Sequence, residues 1–325
     1  ETREDTISNI GSYYNIKAEK LRRHYKHNSS GFKDWNQLSH AEDYLLFKEN
    51  LKESLSIDEV ALSQGELYTF VTNKKGRSKQ GTLLASIKGT KSKDIIDVLE
   101  KLPLEQRLMV KEVTLDMAKN MEASIKMSFP NANIVTDRFH VVKLVIDALQ
   151  HIRIKLRWRE IAEENRLIGL SKTQGLQYCS IILKNGDSYK QLLARSRHLL
   201  AKDSNKWTEN QKQRAELLFR AFPELKKMYN HVMNFRNIYE NKSKITAKLQ
   251  LTDWVEKTKK LKIEEFNSTA KSISYHLDNI LNFFDNRSTN ANAESFNAKI
   301  KLFRANLRGV TDTKFFLFRL KNLFA

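Results

Sequence analysis

The chain has 325 residues, of which 40% are hydrophobic and 29% charged, and a net charge of +19 at neutral pH. That apolar share builds real cores and excludes a disordered tail. A single cysteine, Cys179, excludes a disulfide framework or a multi-thiolate zinc site and suits a reducing cytosol. Ten Gly and three Pro are too few for a turn-rich sandwich or barrel and point to a helix-dominated chain. No apolar run of about 18 residues and no signal peptide occur, so a cytoplasmic protein with no membrane partner is expected. The start at Glu1, without Met, predicts that something precedes it.

The positive charge is unevenly placed. Residues 1–50 are neutral (8 basic, 8 acidic) and residues 51–142 carry +2 (14 against 12). Residues 143–285 carry +11 (27 against 16) and residues 286–325 carry +6 (8 against 2). An excess of this size in the back half predicts a polyanionic partner, because each neutralised phosphate releases counterions and adds affinity regardless of sequence. DNA, and with it a place at the nucleoid, is the natural candidate.

Residues 6–26, "TISNIGSYYNIKAEKLRRHYK", space their apolar side chains as two short helices meeting at a tight turn. Gly11 stands where the helices would cross, and Asn15 where the turn wants a left-handed residue. The pattern predicts a helix-turn-helix whose second helix offers Lys17, Lys20, Arg22, Arg23 and Lys26 to a DNA groove. A polar connector around "HNSSGFKDWNQLSH" follows, closing a first module at residues 1–50.

From residue 51 the texture changes. "SLSIDEVALS", "GELYTFVT" and "GTLLASIKG" read as three antiparallel strands, the last after the basic hairpin "NKKGRSKQ". "SKDIIDVLEKLP" has helical spacing, "VKEVTLDMA" is a fourth strand, "NMEASIKMSFP" a helix and "NANIVTD" a fifth strand. Three strands, helix, strand, helix, strand is the order of an α/β ribonuclease H-like mixed sheet, a meander plus two parallel strands. Residues 51–142 would form its first part. Residues 143–285 show only helical periodicity, an all-helical insertion with Trp158, Trp207 and Trp254 as core anchors. Residues 286–325 would return to the core as its final helices.

Asp58 lies inside the first of these strands, where a lone carboxylate costs several kcal/mol unless it is paired or bound to metal. Asp116 ends the fourth. On neighbouring strands both would emerge at one end of the sheet, a natural seat for a divalent cation. In "NANAESFNAKIKLF", Asn290, Glu294, Asn297 and Lys301 share a polar helical stripe opposite Phe296, Ile300 and Phe303. Glu294 is one of two acids after residue 285, which marks it as a candidate third ligand, with Lys301 beside it for DNA.

Together "SIDEVAL", "VTLDMAKNM", "FPNANIVTDRFHVVK" and "NRSTNANAESFNAKIKLFRANLRG" resemble a bacterial insertion-sequence transposase with a DDE catalytic domain, of the ISL-three type and its relatives. The resemblance covers nearly all of residues 50–325. It implies a triad of Asp58, Asp116 and Glu294 holding two Mg²⁺ ions, for which Mn²⁺ could substitute. Asp137 is the alternative second carboxylate. "DRFH" is similar to a D-x-x-H signature of such transposases, which adds Asp137 and His140 to the catalytic candidates. Arg138, Asn290, Asn297, Lys301 and Arg304 join the expected DNA contacts. The implied activity is binding of terminal inverted repeats, metal-dependent strand cleavage and transfer to target DNA, by a homodimer on DNA. A non-catalytic DNA-binding regulator and a nuclease that cuts without joining are the alternatives.

Overall fold

A computed structural model describes residues 7–63 and 65–325. Residues 1–6, where the expected helical pair begins, and Gln64, in the expected first strand turn, lie outside the described residues. The chain folds as two compact units, one from residues 1–137 with 286–325, the other from 138–285.

The first unit opens with two seven-residue helices, α1 (Ile7–Tyr13) and α2 (Ala18–His24). At their junction Asn15 has φ +52°, and a Cβ on Gly11 would lie 2.5 Å from the Ile16 carbonyl oxygen, so the close crossing needs glycine. The pair buries little of its own surface: Tyr13, Tyr14, Ile10 and Ile16 are all exposed. α2 runs on as a π-helical turn at Tyr25–Ser29.

The next segment departs from the expected connector. Phe32, Trp35, Ala41, Leu45 and Phe47 enter a buried core, and Tyr44–Leu46 forms an edge strand, β1. Three residues with no polar alternation carry no strand signal of their own. β1 exists because β4 offers it a partner.

The sheet continues with β2 (Ser54–Ser63), β3 (Glu66–Asn73) and β4 (Leu83–Lys88). After α3 (Ser92–Leu99) and α4 (Leu104–Leu108) comes β5 (Glu112–Leu115), and after α5 (Lys119–Ser128) comes β6 (Asn133–Thr136). The strand order is β1-β4-β3-β2-β5-β6, with β2, β5 and β6 mutually parallel and the other pairings antiparallel. This six-stranded mixed sheet is consistent with a ribonuclease H-like fold.

Side-chain alternation gives the sheet two different faces. Leu55 and Ile57 of β2, Val113 and Leu115 of β5 and Ile134 of β6 bury against α3 and α5. Val60 and Leu62 of β2, with Tyr68 and Phe70 of β3, point the other way into a core with the chain's last helices.

The second unit is built of helices: α6 (Arg138–Thr173), α7 (Tyr189–Arg195), α8 (Arg197–Leu200), α9 (Glu209–Ala221), α10 (Pro223–Ile238), α11 (Lys244–Leu261), α12 (Glu264–Tyr275), α13 (Leu277–Leu281) and α14 (Phe283–Asn286). The long α6 packs on α7, α10 and α12 through Val145, Leu149 and Ile152. Buried Asp187 is neutralised by Arg195 and by Arg214. Trp254 is a core anchor and Trp207 is half-buried, but Trp158, expected to be one too, is 63% exposed. It stands on the outward face of α6, away from buried Ile152 and Leu156, although Arg159 beside it reaches Glu224 of α10.

The chain then returns to the first unit with α15 (Ala291–Asn306) and α16 (Thr313–Phe324). Phe296 and Ile300 of α15 and Phe315, Phe316, Leu317 and Leu320 of α16 fill the core over β2, β3 and β4.

Candidate functional site

The parallel half of the sheet brings three aspartates into one row. The last pair between β2 and β5 is Ser56 with Thr114, and continuing that register by two residues sets Asp58 level with Asp116. β5 and β6 pair Leu115 with Thr136, and one residue further Asp116 stands opposite Asp137, whose N–H still bonds the Leu115 carbonyl at 2.9 Å. Neighbouring strands lie about 4.8 Å apart. By alternation all three side chains belong to the face that carries α15.

Each aspartate has a different environment. Asp58, half-buried, accepts from the Glu59 N–H on Oδ1 at 2.8 Å and from Asn297 Nδ2 on Oδ2 at 2.7 Å. Asp116, also half-buried, accepts from the Ala118 N–H at 2.8 Å, a short turn that starts α5. Asp137 is 2% exposed and its Oδ1 accepts from the Asn290 N–H at 3.1 Å, at the entry to α15. Beside the row, burial raises the Glu59 carboxyl above its usual range, and the charges of Asp116 and Asp58 push it further. Glu59 thus reports that the two carboxylates share one electrostatic neighbourhood.

Glu294 is exposed in the first turn of α15, one turn before Asn297 and on the same side of the helix. Among the described residues no group of three or more His, Cys, Asp or Glu is arranged to hold a metal ion. The donor set fits a divalent cation as far as Asp58 and Asp116 go. They are hard oxygen ligands at matched register whose combined field already penalises a neighbouring carboxylate. Glu294 does not complete a three-ligand group here.

The same face holds a buried polar cluster that the sequence reading missed. Lys74 and Glu112 form an ion pair at 2.8 Å with side chains 12% and 9% exposed. Lys74 also donates to Thr114, and Glu112 accepts from Ser288 and Asn286. Burial pushes the Lys74 ammonium below the usual lysine range, opposed by Glu112 and Asp137. Burial pushes the Glu112 carboxyl up, but its bonds from Lys74, Ser288 and Asn286 outweigh this and hold it below the usual range. The only sequence signal was a charged residue opening the apolar strand "EVTL".

The ISL3-type DDE family model, whose description reads Transposase, matches residues 55–320. The chain belongs to the ISL3 family of transposases. It is also similar to the transposase for insertion sequence element IS1001 of Bordetella parapertussis, with 23% identity over 274 residues. That alignment covers 84% of this chain and 61% of the relative, so the chain spans under two thirds of that protein's length. The family match begins at residue 55, and α1 and α2 lie outside it.

The remaining expected positions are spread over both units. Asn290 and Asn297, expected on a DNA-facing stripe, are 1% and 7% exposed, because that stripe faces the sheet over part of its length. Among the described residues, both polar side-chain atoms of Asn290 and the Asn297 Oδ1 are buried without a hydrogen-bond partner. Lys301 is exposed. Arg304 is half-buried and donates to the carbonyls of Ala61 and Leu62 at 2.8 and 3.3 Å. Arg138 and His140 begin α6 in the helical unit, where Arg138 pairs with Glu240 at 2.9 Å and His140 is half-buried with its ring edge-on to Phe139. On α2, Lys20, Arg22 and Arg23 are exposed, as is Lys17 at its N-cap, Arg22 pairing with Glu19. Lys26 instead ion-pairs with Asp312 and lies over the rings of Phe32 and Phe315. A groove of about 690 Å³ between α2 and the α15–α16 loop is lined by Arg22, Arg23, Arg308 and Arg319. No helix among the described residues is long and apolar enough to cross a membrane.

Proposed function

We propose that this transposase cuts and joins DNA at the Asp58–Asp116 end of the sheet, by a DDE mechanism with Glu294 as the third carboxylate. The observation that supports this reading best is the matched register of Asp58 and Asp116 beneath α15, with Asn297 bonded to Asp58. Asp58, Asp116 and Glu294 would hold divalent cations, Mg²⁺ or Mn²⁺, which when bound supply Lewis acidity at the scissile phosphate and an activated water. The protein orients the phosphodiester for in-line attack. Water oxygen bonds to phosphorus, the bond to the 3′-oxygen breaks, and a 3′-hydroxyl is freed. In the joining step that hydroxyl attacks a target phosphodiester, displacing the target's own 3′-oxygen.

In this reading α1 and α2 are a helix-turn-helix that reads terminal inverted repeats through Lys17, Lys20, Arg22 and Arg23, and the basic groove beside α2 holds backbone phosphates. The helical unit, residues 138–285, is an insertion in the catalytic core, and its positive charge grips flanking DNA. Lys301 and Arg304 add DNA contacts near the cut, and Arg138 and His140 are DNA-contacting candidates of the helical unit. Joining two ends calls for a homodimer on DNA. Asp116 is the second triad carboxylate, while Asp137, buried against the Asn290 N–H, anchors α15.

Strand transfer with a pre-cut transposon-end duplex tests the assignment. Asp58→Asn, Asp116→Asn and Glu294→Gln should each abolish Mg²⁺-dependent cutting and joining while leaving duplex binding intact. Near-normal joining by any of the three overturns its role. Cutting without joining by the unmodified chain indicates a nuclease, and repeat binding without cutting a regulator.

A further inference from the structure

We infer that Lys74, Glu112 and Ser288 form a part-buried latch that holds the start of α15, and with it Glu294, at the Asp58–Asp116 end of the sheet, an inference that rests on the catalytic reading above. None of the three is expected to touch substrate. They are positioning residues, and their effect passes through the segment that leads into α15.

That segment is tied down at every second residue. Asn286 donates to Glu112 Oε2 at 3.4 Å and Ser288 to Glu112 Oε1 at 2.5 Å. The Asn290 N–H bonds Asp137, and Asn292 Nδ2 bonds the Lys74 carbonyl at 3.0 Å. The Asn292 carbonyl in turn accepts from Ser78 Oγ at 2.9 Å, and Lys299 of α15 bonds the Ser78 carbonyl. Two residues past Asn292 stands Glu294. The approach to α15 is therefore laced to β5, to the end of β6 and to the turn after β3, all fixed parts of the sheet unit.

The chemistry of the latch argues for a positioning role. A buried ion pair costs about as much in desolvation as it returns in attraction, and well-packed apolar residues would often serve stability as well or better. What Lys74 and Glu112 provide is direction. Glu112 accepts from three donors on two separate segments, so it holds residues 286–288 against β5 and Lys74. Glu112 lies four residues before Asp116 on the same strand, about 13 Å along it, too far to share a ligand with it. Its bonds to Asn286 and Ser288 reach the catalytic end through the segment that leads into α15.

The test uses Mn²⁺ as a spectroscopic probe, with binding to the full chain followed by electron paramagnetic resonance in the absence of DNA and strand transfer measured alongside. Glu112→Gln and Ser288→Ala should each weaken Mn²⁺ binding by about tenfold, the scale of a lost ligand-orienting contact. Glu294→Gln should weaken it comparably, and the double variant Glu112→Gln/Glu294→Gln no further. Ser288→Ala leaves the ion pair intact, so it keeps the test readable if Glu112→Gln unfolds, which thermal unfolding reports. Wild-type Mn²⁺ affinity in a folded Ser288→Ala or Glu112→Gln chain, with Glu294→Gln impaired, overturns the latch alone. Wild-type affinity in Glu294→Gln overturns the assignment of Glu294, and the latch with it. Loss on Asp58→Asn identifies the Mn²⁺ site itself.

Discussion

Asn297 of α15 donates from Nδ2 to Oδ2 of Asp58 on β2 at 2.7 Å, across 239 residues of sequence. This bond joins the helix that carries Glu294 to the strand that carries the first aspartate. A hydrogen bond to a charged group contributes about 1.5–3 kcal/mol. Asn297→Ala should therefore lower the unfolding free energy by up to about that amount and depress joining more than DNA binding. Asn297→Asp should do worse, because it sets a like charge against Asp58. Chemical denaturation and strand-transfer rates at one fixed Mg²⁺ concentration check both, and an unaffected Asn297→Ala chain would show the bond to be idle.

Glu59 makes the site's charge visible in stability. Its folded-state pKa is raised, by burial first and then by Asp116 and Asp58. A raised value favours the fold while the carboxyl is protonated, below the ordinary value of 4.5, and that contribution is lost as pH rises through the folded value. Glu59→Gln should match the wild type in acid and be the more stable above the carboxylate range. Mg²⁺ should narrow the gap by neutralising Asp58 and Asp116. Melting temperatures from pH 4 to 8, with and without Mg²⁺, read this out. A gap that is the same at every pH would count against the electrostatic account.

In and around α2 the cations divide into exposed and committed. Lys17, Lys20 and Arg23 are exposed, whereas Lys26 is tied to Asp312 and to two aromatic rings. Replacing any of the first three with Ala should weaken DNA binding uniformly and reduce the slope of log K against log salt by about one. Lys26→Met should leave that slope alone and lower the melting temperature. A salt titration of duplex binding separates the two groups. An unchanged slope for all three exposed positions would remove α2 from the DNA interface.

The helical unit should carry an acid-sensitive contact. His231 stacks on Trp254 with ring centroids 4.7 Å apart, and its Nε2 lies 2.7 Å from Thr258 Oγ1. Burial, with a smaller push from Lys257, pulls its pKa down from 6.5 to about 4. The neutral ring favours the fold above pH 6.5, and that contribution is lost as pH falls from there through about 4. His231→Gln should be less stable than the wild type at pH 7 and lose less on acidification. Unfolding curves at half-unit pH steps decide it; parallel curves would refute the assignment.

Much of the sheet was legible because local pattern and tertiary environment agree. "SLSIDEVALS" alternates and is β2, Ser54–Ser63. The other four anticipated strands are present, in the order expected, because each apolar run is long enough to bury on its own account. β1 was not legible, since Tyr44–Leu46 is a strand only by virtue of β4. The helical wheel of α15 separated Phe296 and Ile300 from Asn290, Glu294, Asn297 and Lys301. It could not say that the polar stripe itself is partly covered, so that Asn290 and Asn297 are buried while Glu294 and Lys301 are exposed.

By itself the sequence determined five of the six strands, the main helices, how the charge is distributed, and that Asp58 stands in apolar company. Periodicity and the cost of burying a charge act over a few residues, so they can be read locally. Tertiary structure alone decided that Asp58, Asp116 and Asp137 fall in one row, that Asn297 meets Asp58, and that Lys74, Glu112 and Ser288 share one buried cluster. Strand register and the pairing of groups 38 to 239 residues apart are set by how whole elements pack against each other, and no local window of sequence contains both partners.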